Sequence, residues 1–168
     1  MRAAPILLAV AVGAFGQASR DLQYESGNGR RLALIVGNEA YAKWPLRNPV
    51  NDARAVEQAL RELGFETEAV VNAGLKALEQ GVDRFVAKVK AGDVAMFYYA
   101  GHGIQIDGEN YLVPVDFDAK DEADAKYVSY SAARVQERMD RAGARLSIVV
   151  LDACRNNPFR TTRSAGGG

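Results

Sequence analysis

The chain has 168 residues, 48% of them hydrophobic and 25% charged, enough for one globular domain with a real core. Lysine plus arginine equals aspartate plus glutamate at 21 each, so the formal net charge is zero. That balance argues against nucleic acid or an acidic membrane surface as a partner, because both select for a basic excess.

Met1-Arg2 gives a short positive start, and Ala3 to Phe15 is almost wholly apolar, broken only by Pro5 and Gly13. Gly16-Gln17-Ala18 places small residues where a signal peptidase reads them. Residues 1–18 therefore read as a secretory signal, too short and wrongly flanked for a transmembrane helix. The alternative is a buried N-terminal helix. The signal implies an exported product, periplasmic or secreted, with no membrane attachment once it is removed. Residues 19–30 are polar and read as a flexible leader.

Arg31 to Gly37 is a continuous apolar run ending in glycine, the pattern of a buried strand. Asn48-Pro49 reads as a helix start, with Asn as cap and Pro in the first turn. Val50, Ala53, Val56, Leu60 and Leu63 follow at helical spacing, and Gly64 ends the helix. Phe65 to Val71 is a second strand. Leu75, Leu78, Val82, Phe85, Val86 and Val89 form the apolar face of a second helix. Asp93 to Ala100 is a third strand. Asp107-Gly108, between Gln105-Ile106 and Asn110 to Val113, is a hairpin turn. The acidic stretch from Asp116 to Asp124 reads as a solvated loop. Ser131 to Gly143 is a third helix with Val135 and Met139 inward, and Leu146 to Leu151 is the fourth main strand.

Strands alternating with helices predict a mostly parallel sheet covered on both faces, with ligands at the carboxyl ends of the strands. The one histidine and the one cysteine of the chain both fall there. His102 follows the third main strand within Tyr98-Tyr99-Ala100-Gly101-His102-Gly103. Cys154 follows the fourth within Leu151-Asp152-Ala153-Cys154-Arg155. An imidazole beside a thiol favours the thiolate, the form that attacks carbonyl carbon. An odd cysteine in an exported protein also points to a reactive thiol or to intermolecular pairing.

These residues carry a resemblance. Tyr-Ala-Gly-His-Gly around His102 and Asp-Ala-Cys-Arg around Cys154 resemble the caspase-like cysteine peptidases, and 52 residues separate the two, near the spacing of about 50 expected in that clan. Asn48 to Ala53 and Tyr111 to Asp116 are similar to bacterial metacaspase or orthocaspase sequences. The resemblance covers about Arg31 to Phe159 and implies a three-layer α/β/α sandwich over residues 31–160, the large-subunit region, with 161–168 as a flexible tail. It also implies that the C-terminal strands of the fold, the small-subunit region, are missing from this chain, since the fourth strand would otherwise expose an apolar edge.

By the resemblance, Cys154 is the nucleophile, His102 the acid/base, and the backbone N–H groups of Gly103 and Cys154 the oxyanion hole. Caspases carry Gln-Ala-Cys-x-Gly at the nucleophile; here Asp152 replaces the Gln and Asn156 the Gly. Asp152 and Asp52 match the acids that line a pocket for arginine or lysine in metacaspase-like relatives, a charge pattern that would reject an acidic side chain. Ala100 stands where many relatives have Ser. No third residue orienting His102 can be named. The implied activity is an endopeptidase cleaving peptide or protein substrates after Arg or Lys, with no cofactor. Asp116, Asp118, Asp121 and Asp124 raise calcium, but their spacing does not match a calcium loop. Two other functions compete: a non-catalytic caspase-like interaction module, and a nucleotide-binding protein. The second is weak, because Gly37-Asn38-Glu39-Ala40 is no phosphate loop.

Overall fold

The computed structural model describes residues 29–153. The signal segment, most of the leader, Cys154 and the tail lie outside the described residues. In chain order the elements are β1 (Arg31–Gly37), α1 (Pro49–Glu62), β2 (Glu66–Val71), α2 (Leu75–Lys88), β3 (Val94–Gly101), β4 (Gly103–Ile106), β5 (Glu109–Leu112), α3 (Glu122–Tyr127), β6 (Tyr130–Ser131), α4 (Ala132–Arg141) and β7 (Leu146–Ala153). The main sheet is fully parallel in the order β2-β1-β3-β7.

Side-chain alternation along the strands divides the core into two layers. Leu32, Leu34 and Val36 of β1 and Ala95, Phe97 and Tyr99 of β3 face α2 and α4, meeting Leu78, Val82, Phe85, Val135 and Met139. Ala33 and Ile35 of β1 and Tyr98 and Ala100 of β3 face α1, meeting Ala53 and Leu60. Each fully buried Leu, Ile, Val or Phe contributes about 1.5–3 kcal/mol through lost contact with water. This is the three-layer sandwich expected. β7 pairs with β3 alone among the described residues, and Leu146 and Val150 on it are exposed.

Pro49 begins α1, as its fixed φ allows, but Asn48 makes no side-chain capping bond. What seats α1 is Gly37: a Cβ there would lie 2.7 Å from the Pro49 carbonyl oxygen and 2.8 Å from the Ala53 Cβ. The missing side chain lets the N-terminus of α1 close onto the end of β1. Asp107 and Gly108 both have positive φ, 50° and 84°, as a two-residue type I′ hairpin requires.

Three details differ from the sequence reading. Arg30, read as leader, is bound: its N–H and guanidinium both donate to the buried Asp93 carboxylate, at 2.9 and 2.8 Å. The acidic stretch gives way to the short helix α3, capped by Asp121, which accepts from the Asp124 N–H. Ser131 caps α4 and also closes the two-residue strand β6, which joins β4 and β5 in a small antiparallel sheet.

Candidate active site

The C-terminal ends of β3 and β7 lie side by side. Ala100 is in register with Asp152, and Gly101 with Ala153. Neighbouring strands run about 4.8 Å apart. The residue before His102 and the residue before Cys154 are therefore direct neighbours, although far apart in sequence.

His102 is held from four directions. Its N–H donates to the Tyr41 hydroxyl at 2.9 Å. Its carbonyl accepts from the Val113 N–H at 3.0 Å and from the Tyr99 hydroxyl at 2.8 Å. The Tyr41 ring lies against the imidazole, 4.5 Å between centroids. Finally, Nε2 of the imidazole meets the Trp44 carbonyl oxygen at 2.7 Å. A carbonyl only accepts, so Nε2 carries the hydrogen and Nδ1 is the ring's remaining basic atom. This is the orienting partner that no residue type announces, since it is a backbone oxygen.

The anchoring hydroxyls form one buried network. Tyr41 and Tyr99 lie 3.2 Å apart through their oxygens, and both reach the Val113 carbonyl, at 3.1 and 2.8 Å. Burial pushes the Tyr99 phenol well above its usual range, so it stays a donor. Gly101 makes room for the pair: a Cβ there would sit 2.7 Å from each hydroxyl oxygen. Asn38, fully buried, ties the same edge together by accepting from the Ala73 N–H at 2.8 Å and donating to the Ala73 carbonyl at 3.2 Å.

Gly103 opens β4 opposite Leu112. Hydrogen-bonded and non-bonded pairs alternate along an antiparallel ladder. His102 bonds Val113, so Gly103 and Leu112 form a non-bonded pair, and the Gly103 N–H points away from β5.

The two predicted pocket acids converge on the α1 face of the sheet. In parallel strands, registered residues share a face, so Asp152 points the same way as Ala100 and, two residues earlier, Tyr98. The Tyr98 hydroxyl donates to Oδ2 of Asp152 at 3.3 Å. Burial, the Asp152 carboxylate and the charge of Asp52 in the first turn of α1 together push the Tyr98 phenol up to about 12. Asp52 and Asp152 are exposed, so this end of the sheet presents two carboxylates to solvent over a buried phenol. The acids of the 116–124 stretch are engaged elsewhere: Asp116 accepts from the Leu75 N–H, Asp118 pairs with Lys43, and Asp124 accepts from the Lys120 N–H. No group of three or more such side chains among the described residues is arranged to hold a metal ion.

The strand order, the paired strand ends and the glycine-flanked histidine have a known counterpart: the Caspase domain model matches residues 30–167. The chain belongs to the caspase domain family of cysteine peptidases. Relatives in this family include mucosa-associated lymphoid tissue lymphoma translocation protein 1 of Homo sapiens, 30% identical over 129 residues, which cover 74% of this chain and 15% of that protein. Metacaspase-1 of Candida albicans is 28% identical over 122 residues, covering 66% and 26%. Metacaspase-1 of Lodderomyces elongisporus is 30% identical over 107 residues, covering 56% and 24%. The chain thus spans well under a third of each of these relatives. The fold is also similar to that in the crystal structure of protein GSU0716 from Geobacter sulfurreducens, with a TM-score of 0.60 at 19% identity over 80% of this chain and 54% of that one.

Tyr41, Trp44, Tyr98 and Tyr99 are the site residues that motif reading passes over. Tyr98 and Tyr99 carried one available signal: a buried tyrosine at a strand end needs a partner for its hydroxyl. Tyr41 and Trp44 lie in a loop with no periodic signal.

Proposed function

We propose that this protein is an exported cysteine endopeptidase that cleaves after arginine or lysine, using Cys154 and His102. The observation that carries the proposal is the register of Gly101 with Ala153, which brings the residues next to the histidine and the cysteine together at the ligand-binding edge of the sheet. In this reading the Cys154 thiolate attacks the scissile carbonyl carbon, and the C–O π electrons move onto oxygen. The N–H groups of Gly103 and Cys154 stabilise that oxyanion. The imidazole, steadied by the Trp44 carbonyl, receives the thiol proton and delivers it to the departing amine. Water then hydrolyses the thioester, releasing the new carboxylate and restoring the thiol.

Asp152 and Asp52 supply the charge that selects the substrate. Two carboxylates at the pocket favour a guanidinium or ammonium and repel an aspartate. Residues 1–18 serve as the export signal. The test is turnover by the full chain of three peptides that differ only in Arg, Lys or Asp before the cleaved bond. Cleavage after Arg and Lys, abolished in Cys154→Ala, is the expected result. Cleavage after Asp alone, or full activity in Cys154→Ala, would overturn it.

One observation favours a second reading, a caspase-fold interaction module without turnover. β7 pairs only with β3 among the described residues and presents Leu146 and Val150 to solvent, an edge suited to receiving further strands such as a small-subunit region. Binding through β7 with no turnover of any of the three peptides would support it.

A further inference from the structure

Tyr98 does something that packing does not require. Its ring lies in the cluster of Ala33, Ile35, Ala53, Leu60 and Ala100, and a phenylalanine would fill that space equally. Its hydroxyl instead reaches the end of β7 and donates to Oδ2 of Asp152. Asp152 is exposed and has water to solvate it, so this bond is not needed to compensate a buried charge. Its physical effect is on geometry: it ties one carboxylate oxygen to a side chain that is itself only 6% exposed and packed within that cluster. An exposed aspartate otherwise samples several rotamers.

We propose that Tyr98 is a positioning residue that restricts the orientation of the Asp152 carboxylate and so makes the pocket prefer arginine over lysine; this rests on the reading of Asp152 as the pocket acid. The argument turns on the difference between the two cations. A guanidinium is a planar fork whose two parallel N–H groups need a carboxylate of matching orientation. An ammonium is a point charge on a flexible stem and gains little from a restricted orientation. Anchoring Oδ2 leaves Oδ1 and the second lone pair of Oδ2 available in a set direction. Ala100, in register with Asp152, has no hydroxyl to do the same, so among the β3 residues facing this acid the task falls to Tyr98. The phenol remains protonated through the physiological range, because burial and the two nearby carboxylates disfavour its anion.

The test is equilibrium binding of N-acetyl-arginine amide and N-acetyl-lysine amide to the full chain in a Cys154→Ala background, with and without Tyr98→Phe. Losing the charge-assisted hydrogen bond that orients the carboxylate should weaken arginine-ligand binding about 3- to 10-fold and lysine-ligand binding less than about 2-fold. In Asp152→Asn, adding Tyr98→Phe should no longer change the ratio, since the residue acts through that carboxylate. An Arg:Lys ratio unchanged by Tyr98→Phe, an equal loss for both ligands, or no binding of either ligand before the Tyr98 change would overturn the proposal. The assay needs no turnover, so a protein that fails as a peptidase while keeping the ratio shift refutes the catalytic reading and leaves this one standing.

Discussion

Tyr41→Phe isolates the network that holds His102. The hydroxyl is buried, accepts the His102 N–H at 2.9 Å, and shares the Val113 carbonyl with Tyr99. Removing it leaves Val113 satisfied by Tyr99 but strips the His102 N–H of its acceptor. The phenylalanine ring keeps its packing against the imidazole. The cost is therefore one orphaned backbone donor, about 1–3 kcal/mol. With a urea m-value of about 2 kcal/mol/M, the unfolding midpoint should fall by about 0.5–1.5 M with m unchanged. A loosened His102 should also reduce kcat/KM about 10-fold or more on an arginine substrate, since small misplacements of a catalytic group are costly. Urea titration followed by fluorescence, together with steady-state kinetics, reads both effects. A midpoint within about 0.2 M of wild type would refute the reasoning, because it would mean that the His102 N–H does not depend on Tyr41.

Gly101→Ala should be worse for activity than for folding. Its Cβ collides with both the Tyr41 and Tyr99 hydroxyls at 2.7 Å, so overpacking of about 1–3 kcal/mol accompanies a displaced His102; thermal unfolding and kcat/KM measured on one preparation check it. Asp93 gives the pH dependence. Burial raises its carboxyl, but the N–H groups of Lys90 and Arg30 and the Arg30 guanidinium more than offset that, holding it below the usual carboxylate range. A depressed folded value means its stabilisation is present above the unfolded value of about 3.9 and is lost as pH falls through the lower folded one. Wild type should therefore lose more stability in that acid window than Asp93→Asn, and equal losses in urea titrations at neutral and acid pH would contradict the assignment.

How much of this was written in the sequence depends on the kind of interaction. β1 and β3 were legible as unbroken apolar runs because strands covered on both faces have no polar side. The hairpin was legible because Asp107-Gly108 tolerates the two positive φ angles of its turn. The adjacency of His102 and the end of β7 followed once β3 and β7 proved to be neighbours, which motif spacing implied and strand patterning alone did not. α3 was hidden because six residues carry too little periodicity to separate a helix from an acidic loop. Arg30 looked like leader, since nothing local reports an ion pair with a residue 63 positions away. The Trp44 carbonyl was unreadable in principle: every residue has that oxygen, and only the path of the loop brings it to the imidazole.

The most direct test of the central claim is covalent labelling of the full-length chain at neutral pH by peptidyl chloromethyl ketones ending in arginine or aspartate, located by mass spectrometry. A thiolate paired with His102 beside two pocket carboxylates should take one arginyl group, on Cys154, with labelling strongly slowed in His102→Ala and negligible for the aspartyl probe. Equal labelling by both probes, or labelling of Cys154 that His102→Ala leaves unchanged, would contradict it.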